Sequence, residues 1–223
     1  MEKLIIWDFD GVVADTEKLW LEAELDVFNR YCNLNWDFAT INHYLAGQAF
    51  SHQLMVLHEL GINPPPQAMQ EIYDKCYQII ANGFERTSGI DDVLALPNYK
   101  HAMGTGGTIE ETVLKIKAIG LEHIFTPENV ITIDFVKNGK PAPDTFLLAA
   151  RVMGFAPKDC IVIEDSIAGL TAAINANMLP ICFAGSEMYK NNENHLRAVK
   201  ALGIKHIFKT MKELKEFLKT YQG

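Results

Sequence analysis

Leu4-Ile5-Ile6-Trp7-Asp8-Phe9-Asp10-Gly11 is the stretch from which the fold of this chain is read. Four consecutive apolar residues without alternation indicate a strand buried on both faces, as in a parallel sheet covered by helices. The run ends in two carboxylates spaced by two. Strand residues i and i+2 point to the same side. Asp8 and Asp10 are therefore expected to project together, exposed at the carboxyl end of the first strand, the edge where open α/β sheets bind ligands. Gly11 permits a sharp exit from the strand. Two neighbouring acids repel, and a bound cation relieves that repulsion; the plain alternative is a solvated acidic turn.

Working outward, further strand-like runs occur at Ala102–Met103, Val130–Ile133, Cys160–Ile163 and Leu179–Phe183. Helical patterns separate them. Thr108-Ile109-Glu110-Glu111 reads as a capping box, with Gly120 placed to end that helix. Ala142–Met153 is stopped by Gly154, and Ser166–Asn177 follows a strand directly. Leu214, Phe217, Leu218 and Tyr221 share one helical face. Strand alternating with helix implies a doubly wound parallel α/β sheet. Residues 15–86 break the rhythm: they lack strand-like runs, carry helical stripes (Trp20, Ala23, Val27, Tyr31 beside Leu21, Leu25, Phe28, Cys32) and are punctuated by Asn63-Pro64-Pro65-Pro66. The expected organisation is a core of residues 1–14 and 87–223 with an all-helical insertion, 15–86.

Three more segments fall where this sheet would present them together. Cys160-Ile161-Val162-Ile163 runs into Glu164-Asp165-Ser166 with Gly169, a second acid pair at a second strand end. Four carboxylates along one edge suit a hard cation such as Mg²⁺. Ala102-Met103-Gly104-Thr105-Gly106-Gly107-Thr108 offers a hydroxyl and backbone N–H groups before a capped helix, a place for phosphate oxygens. Gly139-Lys140-Pro141-Ala142-Pro143-Asp144 holds a lysine at a helix entrance, and Pro141 biases Lys140 toward extended backbone. Each segment is commonplace alone; the order of acid pair, hydroxyl turn, lysine and acid pair is not.

Composition narrows the function classes. The chain has 223 residues and a net charge of −8, a field that does not attract nucleic acid or anionic membrane. No apolar run is long enough for a membrane span, and an acid at position 8 comes too early for a signal peptide, so a cytoplasmic protein is expected. Cys32, Cys76, Cys160 and Cys182 form no C-x-x-C pair and are read as buried free thiols.

With these motifs in hand, the chain resembles the haloacid dehalogenase superfamily. Asp8-Phe9-Asp10-Gly11-Val12-Val13 matches its first motif, Thr105 its second, Lys140 its third, and Glu164-Asp165-Ser166 with Gly169 its fourth. The resemblance extends from the first strand to about residue 177. A helical cap after the first motif is similar to the branch of β-phosphoglucomutase and sugar-phosphate phosphatases. The resemblance implies a Rossmann-like core and a Mg²⁺-dependent phosphatase of small phosphorylated metabolites, with sugar phosphates foremost, working as a monomer or weak homodimer. It implies that Asp8 is the nucleophile and Asp10, protonated first, the acid and then base. Thr105, Gly106 and Lys140 would bind phosphate, and Asp8, Asp10 through its carbonyl, Asp165, and Glu164 directly or through water, would bind Mg²⁺.

The cap supplies substrate contacts in such enzymes, and Trp20, His43, Gln48, Phe50, His52 and Lys75 are the candidates here. Around Gly47, where a mutase carries cations for a second phosphate, this chain has Leu45 and Phe50. That favours hydrolysis over a β-phosphoglucomutase-like transfer, with Lys75 or His52 as the possible substitutes. A phosphonate hydrolase or dehalogenase would not need Asp10, and a receiver module would be shorter, lack a cap and carry its acceptor on a later strand. An interaction protein without catalysis is disfavoured by the filled motif positions.

Overall fold

The computed structural model describes residues 2–46 and 50–221. Leu4, Ile5, Ile6 and Trp7 are fully excluded from solvent, so the strand they form, β1 (Lys3–Trp7), is covered on both faces. It lies inside a six-stranded sheet with β2 (Tyr99–Gly104), β3 (Val130–Ile131), β4 (Cys160–Glu164), β5 (Leu179–Phe183) and β6 (His206–Phe208). The order is β3-β2-β1-β4-β5-β6 and every pairing is parallel. The chain turns from one side of β1 to the other at the β1/β4 junction, the switch point at which such sheets open a crevice.

By contacts the chain divides into two units, Met1–Asp15 with Glu85–Gly223, and Thr16–Phe84. The second contains α1 (Glu17–Cys32), α2 (Phe38–Leu45), α3 (Phe50–Glu59) and α4 (Pro66–Asn82). Its order follows local chemistry. Asp37 caps α2 by accepting the Thr40 N–H at 2.8 Å, and Pro66 opens α4, where a missing N–H costs nothing. Among its described residues, Trp20, Leu21, Val27, Phe28, Ile41, Leu45, Leu57, Ala68, Ile72 and Ile80 are the buried apolar side chains. Arg30 and Lys75 tie α1 to α4 through Glu71 and Asp26.

The first unit adds α5 (Ile90–Leu94), α6 (Ile109–Ala118), α7 (Asp144–Met153), α8 (Ile167–Asn175), α9 (Glu193–Ala201) and α10 (Met211–Thr220). Leu4 and Ile6 share a core with Phe146, Ala149 and Ala150 of α7 and Ala172 and Ala173 of α8. Small residues on α8 let it lie close to the sheet. On the other face of β1, the Trp7 indole N–H donates to His101 Nδ1 at 3.1 Å, and His101 Nε2 lies 3.1 Å from the Leu94 carbonyl. Burial pushes His101 down to about 4, which keeps its ring neutral in that bridge.

Several sequence expectations change in detail. The run Val130–Ile133 yields only a two-residue strand, because Ile133–Phe135 winds into a 3₁₀ turn. The helix expected from Ala142 starts at Asp144. β6, α5 and α9 are elements not named from the sequence: β6 is three half-buried residues, α9 buries only His195 and Val199, and α5 is a single five-residue helix that buries Ile90, Val93 and Leu94. Thr108 accepts the Glu111 N–H at 3.4 Å, but the Glu111 carboxylate pairs with Lys115, so the reciprocal half of the expected capping box is diverted. The reciprocal box occurs instead at Thr210 and Glu213 of α10. All four cysteines are free; Cys160 and Cys182 are buried, and burial pushes their thiols up to about 11 and 12. Among the described residues no helix is long and apolar enough to cross a membrane.

Candidate active site

β1 stops at Trp7, so the alternation that would carry Asp8 and Asp10 to one side has already ended. The Asp8 N–H still extends the ladder, donating to the Ile163 carbonyl at 3.0 Å, which sets Asp8 level with the end of β4. The chain then curls: the Phe9 carbonyl accepts from Val12, Val13 and Ala14. Gly11 sits at φ 77°, and a Cβ there would fall 1.8 Å from Asp165 Oδ2. Gly11 is therefore required twice, by its backbone angle and by the approach of the second acid pair. The two acids of the first pair face different cations. Asp8 Oδ1 accepts from Lys140 at 2.6 Å, whereas both Asp10 oxygens accept from Lys115, at 2.9 and 3.0 Å.

Asp8 is not the exposed group expected of a sheet edge; it is 8% exposed. Burial pushes its carboxyl from 3.8 to about 7, against the pull of Lys140 and with the added push of Glu164. Glu164 closes β4 with no exposure at all. Its Oε2 accepts the Ser166 N–H and hydroxyl at 2.8 and 2.9 Å, and its Oε1 accepts from Lys140 at 2.5 Å. Ser166 in turn caps α8 by accepting the Gly169 N–H at 3.0 Å. Lys140 therefore bridges the two strand ends. Burial opposes its charge, but Asp8 and Glu164 together hold it above the ordinary lysine range.

Asp8, Glu164 and Asp165, all buried, each offer an oxygen within 4.8 Å of the others. Three clustered buried carboxylates, two of them paired with Lys140, leave an excess of negative charge. The donors are all hard oxygens, so the set fits a divalent cation of the Mg²⁺ class. Thr105 lies one residue past the end of β2 and is 2% exposed. Its own N–H is committed to the Ile131 carbonyl at 3.0 Å, and the Gly107 N–H to Thr105 Oγ1 at 3.4 Å. Of the N–H groups in this turn, those of Gly106 and Thr108 remain: neither has a partner among the described hydrogen bonds, and a Cβ on Gly106 would meet open space. The Lys140–Pro141 peptide is cis.

The structure thus gathers Asp8, Lys140, Glu164 and Asp165 at the ends of β1 and β4. Lys115 was missed. It sits on the buried stripe of α6 with Thr112 and Ile116 and is 2% exposed, a charge at a position that periodicity marks as apolar. That contrast was the available signal. The expected proton on Asp10 also meets a different arrangement, since Asp10 here is one half of an ion pair.

In the helical unit, Trp20 is buried with its ring edge-on to Phe84, in the role of a packing residue. His43 and His52 are exposed, and Phe50 is half-buried against Tyr73. Lys75 is engaged with Asp26 at 3.1 Å, so the cation considered for a second phosphate serves to join α1 to α4. Gln48 lies outside the described residues.

The model of haloacid dehalogenase-like hydrolases matches residues 5–182, from β1 through β5. The chain belongs to that family. As a haloacid dehalogenase-like hydrolase it is 39% identical over 190 residues to hexitol phosphatase A of Escherichia coli, covering 78% of this chain and 79% of that one. It is 29% identical over 177 residues to fructose-1-phosphate phosphatase YqaB of the same organism, covering 78% and 92%. A haloacid dehalogenase-like protein of Agrobacterium tumefaciens shares the fold at a TM-score of 0.83, with 21% identity and 98% of both chains covered. CbbY of Rhodobacter sphaeroides, solved with phosphate, does so at 0.79, with 22% identity and 96% of both chains covered.

Proposed function

We propose that this hydrolase is a Mg²⁺-dependent phosphatase of small sugar or sugar-alcohol monophosphates, working through an aspartyl phosphate on Asp8. The observation that carries the reading is the buried lysine at 2.6 Å from Asp8 and 2.5 Å from Glu164: a carboxylate nucleophile and an acidic metal cluster share one ammonium at the sheet's switch point. The likeness to hexitol phosphatase A and fructose-1-phosphate phosphatase supports the substrate class.

In this reading an Asp8 oxygen attacks phosphorus and the bond to the sugar oxygen breaks, giving an acyl phosphate and an alkoxide. Protonated Asp10 gives its proton to that alkoxide. As a carboxylate it then takes one from the water that releases phosphate, so the enzyme ends as it began. Lys140, the Thr105 hydroxyl and the Gly106 N–H neutralise and orient the phosphoryl oxygens. Asp8, the Asp10 carbonyl, Glu164 and Asp165 would hold Mg²⁺, which would supply positive charge to offset that of the phosphoryl group. The helical unit acts as a lid that excludes bulk water and selects the substrate. Lys75 is held by Asp26, which favours hydrolysis over transfer through a bisphosphate.

A screen of phosphorylated metabolites with Mg²⁺, Ca²⁺ or chelator tests this. Phosphate release from hexitol or hexose monophosphates is expected with Mg²⁺, a weak response with Ca²⁺ because its coordination is larger and looser, and none in chelator. Isomerisation primed by a hexose bisphosphate, with little phosphate released, would establish the mutase instead; full activity in chelator would remove the metal.

A further inference from the structure

We infer that Lys115 is a positioning residue for Asp10 and that it controls the leaving-group half of the reaction; the inference rests on the phosphatase reading above. Lys115 lies on α6, outside every signature segment of the chain, yet its ammonium spans both carboxylate oxygens of Asp10 at 2.9 and 3.0 Å. A two-point grip fixes the carboxylate's rotation as well as its place. The Phe9 ring, 5.5 Å from the same ammonium, flanks the grip between Asp8 and Asp10.

Stability alone does not account for this lysine. Its side chain is 3% exposed, and Glu111, one turn back on the same helix, already supplies a counter-charge. The other inward residues of α6, Thr112 and Ile116, carry no charge, and a buried ion pair is commonly replaced by apolar side chains without loss of stability. What the lysine adds over an apolar residue is the reach to Asp10. That reach matters because Asp10 works at one oxygen of the departing group, a task that depends on its orientation. The two-oxygen grip is that of the carboxylate form; when Asp10 carries the proton, one oxygen stays on the ammonium while the other presents its O–H to the leaving oxygen. Asp8 contributes no such demand: it is held separately by Lys140.

The test uses Lys115→Met, which keeps the stem and removes the ammonium. Cleavage is followed in single turnovers with enzyme in excess, on an alkyl ester (the hexose or hexitol monophosphate cleaved fastest in the screen) and on p-nitrophenyl phosphate, whose leaving group needs no proton. A positioning role predicts a rate loss at least ~10-fold larger for the alkyl ester than for the nitrophenyl ester, as for a general acid put out of place. Asp10→Asn should show the same selectivity, and adding Lys115→Met to it should change nothing further. Lys115→Arg, whose planar fork also spans two oxygens, should recover most of the selective loss. The ratio of the two rates within one preparation is independent of the fraction folded; if Lys115→Met does not fold, the same ratio is read in Lys115→Gln. Equal losses on both esters, or none, overturn the inference and leave the phosphatase reading standing. A wild-type protein inert toward both esters overturns the two together.

Discussion

Gly169 is the residue at which helix propensity and site geometry disagree most sharply. It lies in α8, where alanine would ordinarily gain about 1 kcal/mol over glycine. A Cβ there would fall 1.8 Å from Glu164 Oε1. Gly169→Ala is therefore expected to displace Glu164, lowering Mg²⁺ affinity by roughly 10-fold or more, the scale seen when a ligand's support is lost. A titration of metal against the purified variant reads it; unchanged affinity would mean that Glu164 does not hold the ion. Asp8 makes a second prediction, with a sign fixed by its raised carboxyl. Between 3.8 and about 7 the native state holds a proton that the unfolded chain has given up, so burial of Asp8 costs stability as pH rises through that window. Asp8→Asn should abolish turnover and, without divalent metal, melt about 2–4 °C above the wild type at pH 8, as for about 1 kcal/mol in a chain of this size. The gap should shrink toward pH 5. A melting point lowered equally at both pH values would refute the assignment of Asp8 as an undercompensated buried charge.

Among the elements, the β1–β2 pairing carries its own pH dependence. His101 on β2 is held between the Trp7 indole and the Leu94 carbonyl, and burial keeps it neutral down to about 4. An unfolded histidine takes up its proton near 6.5, so stability conferred by this bridge is present above that pH and is lost as pH falls toward 4, by at most about 1.4 kcal/mol per pH unit. Denaturant melts of wild type and His101→Gln across pH 4–7 should converge at the acid end; parallel curves would sink the claim. The apolar runs of β1, β4 and β5 were legible because strands buried on both faces need such runs. β6 and α9 were not, because each buries little and is placed by its neighbours.

At the scale of the whole molecule, the two chain segments that leave and re-enter the sheet unit meet each other. Ala14 bridges Arg86 in antiparallel fashion, and Thr87 donates to the Val12 and Val13 carbonyls at 2.7 and 2.8 Å. Replacing Thr16–Phe84 by a short Gly-Ser linker should therefore leave a sheet unit that unfolds in one cooperative transition by circular dichroism. If the helical unit is the lid proposed above, the shortened protein should still cleave p-nitrophenyl phosphate slowly but lose discrimination among sugar phosphates. A sheet unit that fails to fold would show that the helices support it.

The linear order of residues was enough to place two acid pairs, a hydroxyl turn and a lysine at strand ends, because a parallel sheet brings the carboxyl ends of its strands to one edge whatever lies between them. It was enough, too, to mark Gly11 as the sharp exit from β1 and Gly169 as part of its segment, though not to show the acids that crowd both: Asp165 at Gly11 and Glu164 at Gly169. Burial, pairing and approach belong to the folded chain. That Asp8 is enclosed, that Lys140 serves Asp8 and Glu164 at once, and that Lys75 is tied to Asp26 follow from segments 24 to 132 residues apart being brought into contact. Lys115 is the clearest case: helical periodicity assigns its position to the apolar face, and only the packing of α6 beside the turn after β1 shows a carboxylate 105 residues away waiting for its charge.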